Sequence, residues 1–258
     1  MDWLTGILLI VVGLVAGFIN TLAGSGSLIT LPVLMFMGLP PTVANGTNRI
    51  AILLQSLVGV SKFKQKKVFE WKEGTAVLIP AVLGSLLGAM LAVDIDKELM
   101  RKFIAGLLVF MFLMLLTNSD RWIKGREQQM TAKRRIVQYV IFFLIGVYGG
   151  FIQAGVGFFL LAGLVLGSGF DLLKSNAVKL LIITVFTPFA LVVFAWHYQV
   201  NYSYGLVLAV GNIFGALVAT RVAMRYGTAF IRYFLMAILF FTSLQLFGVY
   251  HWLYHLIF

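Results

Sequence analysis

Two short glycine-rich stretches interrupt apolar runs of this chain, and their residues are suited to binding an anion. The first break is Leu-Ala-Gly-Ser-Gly-Ser at residues 22–27, and the second is Ala-Gly-Val-Gly at residues 154–157. Glycine lets the backbone approach a ligand closely and adopt a positive φ. A helix that starts after such a break presents unpaired N–H groups and about half a positive charge. Together these features predict an anion site.

Polar and basic residues lie beside each break or near the start of the longer apolar segment that follows it. Arg49 and Lys179 lie within the first turns of such segments, where a charge is often functional but can also extend to the membrane interface. The Asn and Ser residues there could instead cap the helix. Ser25, Ser27 and Gln153 could pair with backbone groups that the breaks set free. The candidate substrate-binding residues are Gly24, Ser25, Gly26, Ser27, Asn45, Thr47, Asn48, Arg49, Gln153, Gly155, Gly157, Asn176 and Lys179.

The acidic residues are informative by their positions. All nine Asp and Glu residues lie in loops or at the ends of apolar runs. Proton pumps and cation carriers usually need a carboxylate or histidine within the membrane, so a cationic substrate is disfavoured. The chain has no cysteine, no nucleophile–base pair and no Gly-rich ATP loop that ends in Gly-Lys-Ser/Thr. We therefore expect neither catalysis nor ATP-driven transport, and no metal or cofactor.

The composition places these residues in a membrane. The chain has 258 residues, of which 61% are hydrophobic and 11% are charged, whereas a soluble domain has about 25% charged residues. This predicts an all-α, polytopic membrane protein. The net charge of +11 is explained by basic cytoplasmic loops and needs no nucleic-acid partner. The first apolar run has no basic segment before it, so we expect it to be retained as a span.

An internal duplication relates the two breaks. Five residue pairs share an offset of 131: Ala23 with Ala154, Gly24 with Gly155, Gly26 with Gly157, Gly38 with Gly169, and Asn45 with Asn176. We interpret the chain as two transmembrane repeats of about five membrane segments, at residues 1–117 and 136–258, joined by a basic cytoplasmic linker at residues 118–135. Other glycines in the long apolar runs are expected to serve close helix packing: Gly13, Gly17, Gly84, Gly88, Gly146 and Gly150.

The distribution of basic residues predicts how the repeats are oriented. If the short segments after the breaks count as crossings, each repeat has five crossings and the repeats are inverted. Sixteen of the 20 Lys and Arg residues then lie on one side, as the positive-inside rule requires, and both termini lie outside the cytoplasm. If those segments are re-entrant, 11 Lys and Arg residues lie on one side of the membrane and 9 on the other. The short segments have roughly 11–12 residues, so as helices they cover roughly 18 Å of a hydrocarbon core about 30 Å thick. Each break should therefore lie deep in the membrane, and the starts of the two short helices should converge there.

These motifs resemble those of a known family. The break at residues 23–27 is followed by an apolar stretch with Pro32, a Gly-Leu-Pro turn at residues 38–40, and Ala-Asn-Gly-Thr-Asn at residues 44–48. The second half repeats this order weakly. The pattern resembles the sulfite exporter TauE/SafE family over almost the full length. Serine replaces some of the family's usual glycines in the first break, and residues 46–48 read Gly-Thr-Asn in place of Gly-Thr-Ser.

The resemblance implies a bacterial inner-membrane carrier for sulfite, sulfoacetate or a similar small sulfur-containing anion. The residues themselves imply some small anion, moved by alternating access between the two inverted repeats. A membrane potential that is negative inside favours export, by about 2.3 kcal/mol per negative charge at 100 mV. Two alternatives are an anion channel and a non-transporting membrane protein, such as an assembly factor or partner subunit.

Overall fold

The computed structural model describes residues 3–68, 74–100, 102–103, 106 and 131–246, with the backbone alone at residues 228–229 and 231–246. Every regular element within these residues is helical, and a further short helical segment begins at residue 97. The main helices are α1 (Trp3–Ala23), α2 (Ser27–Phe36), α3 (Pro41–Gln65), α4 (Thr75–Val93), α5 (Ala132–Phe151), α6 (Val156–Ser168), α7 (Leu172–Trp196) and α8 (Tyr202–Leu246).

The lengths of these helices confirm the prediction of an all-α, polytopic membrane protein. Five described segments are long and apolar enough to cross a bilayer: α1, α4, α5, α7 and the part of α8 from Tyr202 to Gly227. Helix α8 changes direction at Gly227, where φ is 64° and ψ is −158°. The short helices α2 and α6 follow the two breaks, at the positions that the sequence predicts for them. Each half of the chain therefore contains a helix that is interrupted at a glycine break: α1 is followed by α2, and α5 is followed by α6.

Several predicted boundaries differ from the observed ones. Helix α3 begins at Pro41 and α7 at Leu172, with Pro40 and Asp171 as their N-caps. The interpretation of Asn45 and Asn176 as helix caps is therefore wrong, since both lie more than one turn inside. Pro41 is favoured at the first helical position because its missing N–H would be unpaired there anyway. Helix α5 begins at Ala132, within the predicted linker. Most of that linker, most of residues 103–117 at the end of the first predicted repeat, and residues 247–258 at the end of the second lie outside the described residues.

Glycines allow the backbones of two helix pairs to approach closely, which confirms the prediction that these glycines serve close helix packing. On α1, a Cβ atom added at Gly13 or Gly17 would overlap the backbone of α8, and one added at Gly211 would overlap the backbone of α1. Helices α4 and α5 meet in the same way through Gly84, Gly88, Gly146 and Gly150. Close backbone approach of this kind holds helices together where lipid removes the hydrophobic driving force between them.

Two clusters of buried apolar side chains fill the two ends of the bundle. The basic-side core contains Val60 and Phe63 at the end of α3, together with Val178 near the start of α7. The opposite core contains Leu34 near the end of α2 and Phe194 near the end of α7. The helix ends that form the basic-side core also carry most of the described basic residues: Lys62, Lys64, Lys66, Lys67, Lys133, Arg134, Arg135, Lys174, Arg221 and Arg225.

The α4–α5 contact generates a stability prediction. Gly146→Ala should lower the free energy of unfolding by about 1–3 kcal/mol, because the added methyl group overlaps the backbone of Ala81. Gly167→Ala is the matched control, since a Cβ at Gly167 meets nothing within 4 Å. Thermal unfolding in detergent measures both. Equal melting temperatures for the two variants would show that the contact is not tight.

Candidate functional site

The two glycine breaks are in direct contact in the folded protein. A Cβ atom added at Gly24 would overlap the backbone of Gly157, and one added at Gly157 would overlap Gly24. Gly24 has φ of +78° and Gly155 has φ of +70°, a left-handed conformation that glycine adopts without strain. These two glycines are an equivalent pair at the offset of 131. The structure therefore brings the two breaks together, through Gly24 and Gly157, at the point where the first helix of each half is interrupted.

The helices that leave the breaks begin without capping side chains. Gly26 is the N-cap of α2 and Gly155 is the N-cap of α6, and as glycines they supply no side-chain hydrogen bond. Backbone carbonyls of the breaks accept from several of the first N–H groups, such as those of Leu28 and Phe158. Two helix starts, each with about half a positive charge, thus lie next to each other.

Arg49 pairs with the end of α5, directly before the second break. Its Nη1 donates to the carbonyl oxygen of Gly149 at 3.1 Å, and its Nη2 donates to that of Gly150 at 2.5 Å. The guanidinium carbon also lies 4.5 Å from the centre of the Phe194 ring. The side chain is completely buried, two turns inside α3. The alternative in which Arg49 extends to the membrane interface is therefore wrong.

Lys179 makes the corresponding contact at the other break. Its Nζ donates to the carbonyl oxygens of Asn20 at 3.2 Å and Thr21 at 2.9 Å, in the last turn of α1. Lys179 is also completely buried, so the interface alternative is wrong here as well. Each half of the chain thus supplies the cation that pairs with the interrupted helix of the other half. The last carbonyls of a helix are unpaired and carry about half a negative charge, which a cation stabilises.

These buried cations have no acidic partner among the described residues. The buried polar residues of the described chain include Arg49 and Lys179 but no Asp or Glu. The ion pair that the structure describes, between Lys102 and Glu98 at 3.2 Å, lies on the surface. A buried charge without a counter-ion is costly. The two cations are therefore suited to receive a negative charge from outside the protein.

Three other candidate residues on α3 make contacts that hold the helices together. Asn45 Nδ2 donates to the carbonyl oxygen of Phe151 at 2.7 Å. Asn48 Oδ1 accepts a hydrogen bond from Thr30 Oγ1 at 2.7 Å, and Thr47 Oγ1 accepts one from the backbone N–H of Asn201 at 2.9 Å. These contacts tie α3 to α2, to the end of α5 and to the start of α8.

Several buried polar atoms around the breaks have no partner in the described structure. Asn176 is completely buried, and neither its Oδ1 nor its Nδ2 is paired. Gln153 Nε2 donates to Thr187 Oγ1 at 2.9 Å, which leaves its Oε1 unpaired. Ser27 Oγ is buried and unpaired, whereas Ser25 is partly exposed. Further unpaired atoms nearby are Asn45 Oδ1, Asn48 Nδ2 and Arg49 Nε. Buried polar atoms are normally paired, so these atoms are available to bond a polar ligand.

Two residues that support this region were missed by the sequence reasoning. The Tyr148 hydroxyl donates to the carbonyl oxygen of Ala154, inside the second break. Phe194 places its ring against the Arg49 guanidinium. A tyrosine six residues before a break in an apolar helix was an available signal for the first. Nothing in the sequence links Phe194 to Arg49, because they lie on different helices.

Comparison with known proteins identifies the family. A family model described as sulfite exporter TauE/SafE matches residues 9–246. The chain belongs to this family. A probable membrane transporter protein of Haemophilus influenzae is 32% identical over 232 residues, which cover 87% of this chain and 88% of the relative. One from a Sinorhizobium species is 28% identical over 228 residues, covering 87% and 85%. No solved structure matches the chain.

A third relative agrees with the first two. The probable membrane transporter protein YfcA of Escherichia coli is 27% identical over 221 residues, which cover 86% of this chain and 81% of the relative. The TauE/SafE match and these relatives, with the five apolar spans, make the chain a multi-pass membrane transporter.

The second break generates a prediction about stability. Tyr148→Phe should lower the free energy of unfolding by about 1–3 kcal/mol, because it leaves the carbonyl of Ala154 without its donor. Tyr202→Phe is the control, since Tyr202 is 58% exposed. Chemical or thermal unfolding in detergent compares them. A Tyr148→Phe protein as stable as the control would mean that this hydrogen bond does not support the break.

Proposed function

We propose that this TauE/SafE transporter is a secondary carrier that exports a small sulfur-containing anion by alternating access. The observation that carries the proposal is the placement of Arg49 and Lys179. Both cations are completely buried and pair with the helix ends directly before the two breaks, with no acidic partner in the described chain. A solute with negative charge would supply the missing counter-charge.

The net charge at the breaks supports an anionic substrate by its size as well as by its sign. At each break one helix ends, with about half a negative charge, and another begins, with about half a positive charge. These helix charges cancel, so that Arg49 and Lys179 leave about two positive charges in the region. An interior of low dielectric strengthens their attraction for an anion relative to water. This balance fits an anion with one or two negative charges, as sulfite and many sulfonates have.

The order of core residues along the helices supports the proposed inversion of the two repeats. Helix α1 contributes Leu9 to the opposite core and then Leu22 to the basic-side core. Its counterpart α5 contributes Phe142 to the basic-side core, and Phe151 at its end packs against the opposite core. With the basic side in the cytoplasm, both termini are proposed to lie outside the cytoplasm of a bacterial inner membrane. The linker at residues 118–135 then joins the repeats on the cytoplasmic side.

The burial of the candidate residues favours a carrier over a channel. Asn45, Arg49, Asn176 and Lys179 are each 0% exposed. A channel needs a continuous open path in its conducting state, whereas a carrier passes through states that close the site to both sides. Substrate entry into the described arrangement requires the two repeats to move relative to each other, as in other inverted-repeat transporters.

Export follows from the charge of the substrate. An anion that leaves a cell with a potential of 100 mV, negative inside, gains about 2.3 kcal/mol per charge. Uptake of the same anion would need coupling to a cation. The sulfur chemistry of the substrate rests on the family to which the chain belongs.

Flux measurements test this function. Purified protein in liposomes should move radiolabelled sulfite, and Gly24→Val should reduce the initial rate at least tenfold, because the added side chain overlaps Gly157. Gly167→Val is the control, since Gly167 has open space around it. Single-channel currents would instead identify a channel. The absence of flux for sulfite, sulfoacetate, thiosulfate and taurine would favour the non-transporting alternative.

The two equivalent asparagines provide a sharper test of the binding residues. Asn176→Leu should weaken substrate binding at least tenfold without loss of stability, because Asn176 has no hydrogen bond within the described protein to lose. Asn45→Leu should lower the melting temperature, because it removes the donor to Phe151. Thermal shift with and without sulfite measures both properties. If Asn176→Leu is destabilised as much as Asn45→Leu and binds sulfite normally, Asn176 is a structural residue.

A further inference from the structure

We propose that Arg49 and Lys179 occupy the positions in which a sodium-coupled carrier would hold its coupling ion, so that transport by this chain needs no sodium. This inference rests on the proposed function, since it concerns how that transport is driven. It assigns both residues as positioning residues for the interrupted helices.

The carbonyl oxygens before the breaks are the groups that would bind such an ion. Carriers with interrupted helices coordinate Na⁺ through unwound backbone carbonyls and through the C-terminal ends of half-helices. In this chain those oxygens are already paired. Arg49 pairs with Gly149 and Gly150, and Lys179 pairs with Asn20 and Thr21.

The next carbonyl along α5, that of Phe151, also accepts a hydrogen bond, which leaves few oxygen ligands for an ion. The oxygen of Phe151, next after Gly149 and Gly150, accepts a hydrogen bond from Asn45. No buried Asp or Glu is present in the described chain to complete a cation site. A sodium ion at either break would also lie close to a buried cationic side chain, and like charges in a low dielectric repel strongly.

The two halves reach the same contact from different positions in the sequence. At the offset of 131, Arg49 corresponds to Leu180, and Lys179 corresponds to Asn48. The cation is therefore displaced by one residue between the repeats, yet each one pairs with two carbonyls in the last turn of the opposite repeat's first helix. A shared role at the helix end explains why both repeats place a long cationic side chain within reach of it.

The wild-type protein gives the first test. Sulfite flux in liposomes should be equal within twofold in sodium and choline media, and the melting temperature in detergent should not change when choline chloride replaces sodium chloride. A tenfold or greater dependence of flux on sodium would overturn the proposal. So would a melting temperature that rises with sodium in the wild-type protein. Absence of flux would contradict the proposed function, and the melting temperature would still decide this inference.

Neutral variants give the second test. Lys179→Met removes the built-in cation, and sodium at 0.1–0.5 M should then raise the melting temperature relative to choline, because Asn20 and Thr21 regain a cationic partner. Lys179→Arg is the matched control and should stay insensitive to sodium. Arg49→Met repeats the test at the other break if the first variant does not fold. A folded Met variant with the same melting temperature in both salts would show that these carbonyls do not accept a cation.

Discussion

A helix that is interrupted inside a bilayer leaves N–H and C=O groups without partners at a depth where no water can reach them. This constraint governs the centre of the structure. The N–H groups at the start of α2 and α6 have no capping side chain, whereas the C=O groups at the end of α1 and α5 are paired with Lys179 and Arg49. Buried cations thus compensate the negative helix ends, whereas the positive helix starts are met only by backbone carbonyls within the breaks, such as that of Gly155, which accepts from the N–H of Phe158. The proposed anion site rests on that asymmetry.

The surrounding helices make this arrangement possible. Glycine contacts join α1 to α8 and α4 to α5, so that helices of the two halves pack against each other closely. The backbones of Gly24 and Gly157 touch in consequence, and a side chain at either position would separate the breaks. Because each cation comes from the half opposite to the helix it pairs with, the movement of the halves in the proposed carrier cycle would change both contacts. The same residues would then link the proposed binding site to that movement.

Much of the fold was predictable from the sequence, because apolar runs, basic loops and glycine breaks are local signals. The helical class, the short helices after the breaks and the packing glycines follow from them. The partners of Arg49 and Lys179 were not predictable, since they lie 100 and more positions away and periodicity does not report which carbonyls meet. Asn45 and Asn176 show most clearly that equivalent positions in the sequence need not have equivalent partners. They are equivalent in sequence, but Asn45 bonds to Phe151 whereas the matching carbonyl of Asn20 is taken by Lys179.

The central claim is that an anion binds where the two breaks meet. The most direct measurement is a crystal structure with selenite, the selenium analogue of sulfite, located by anomalous scattering. The account predicts a selenium peak within about 4 Å of backbone nitrogens at the starts of α2 and α6, close to Asn176. A peak confined to the basic surface beside Lys62 and Arg221, with none at the breaks under saturating selenite, would contradict it.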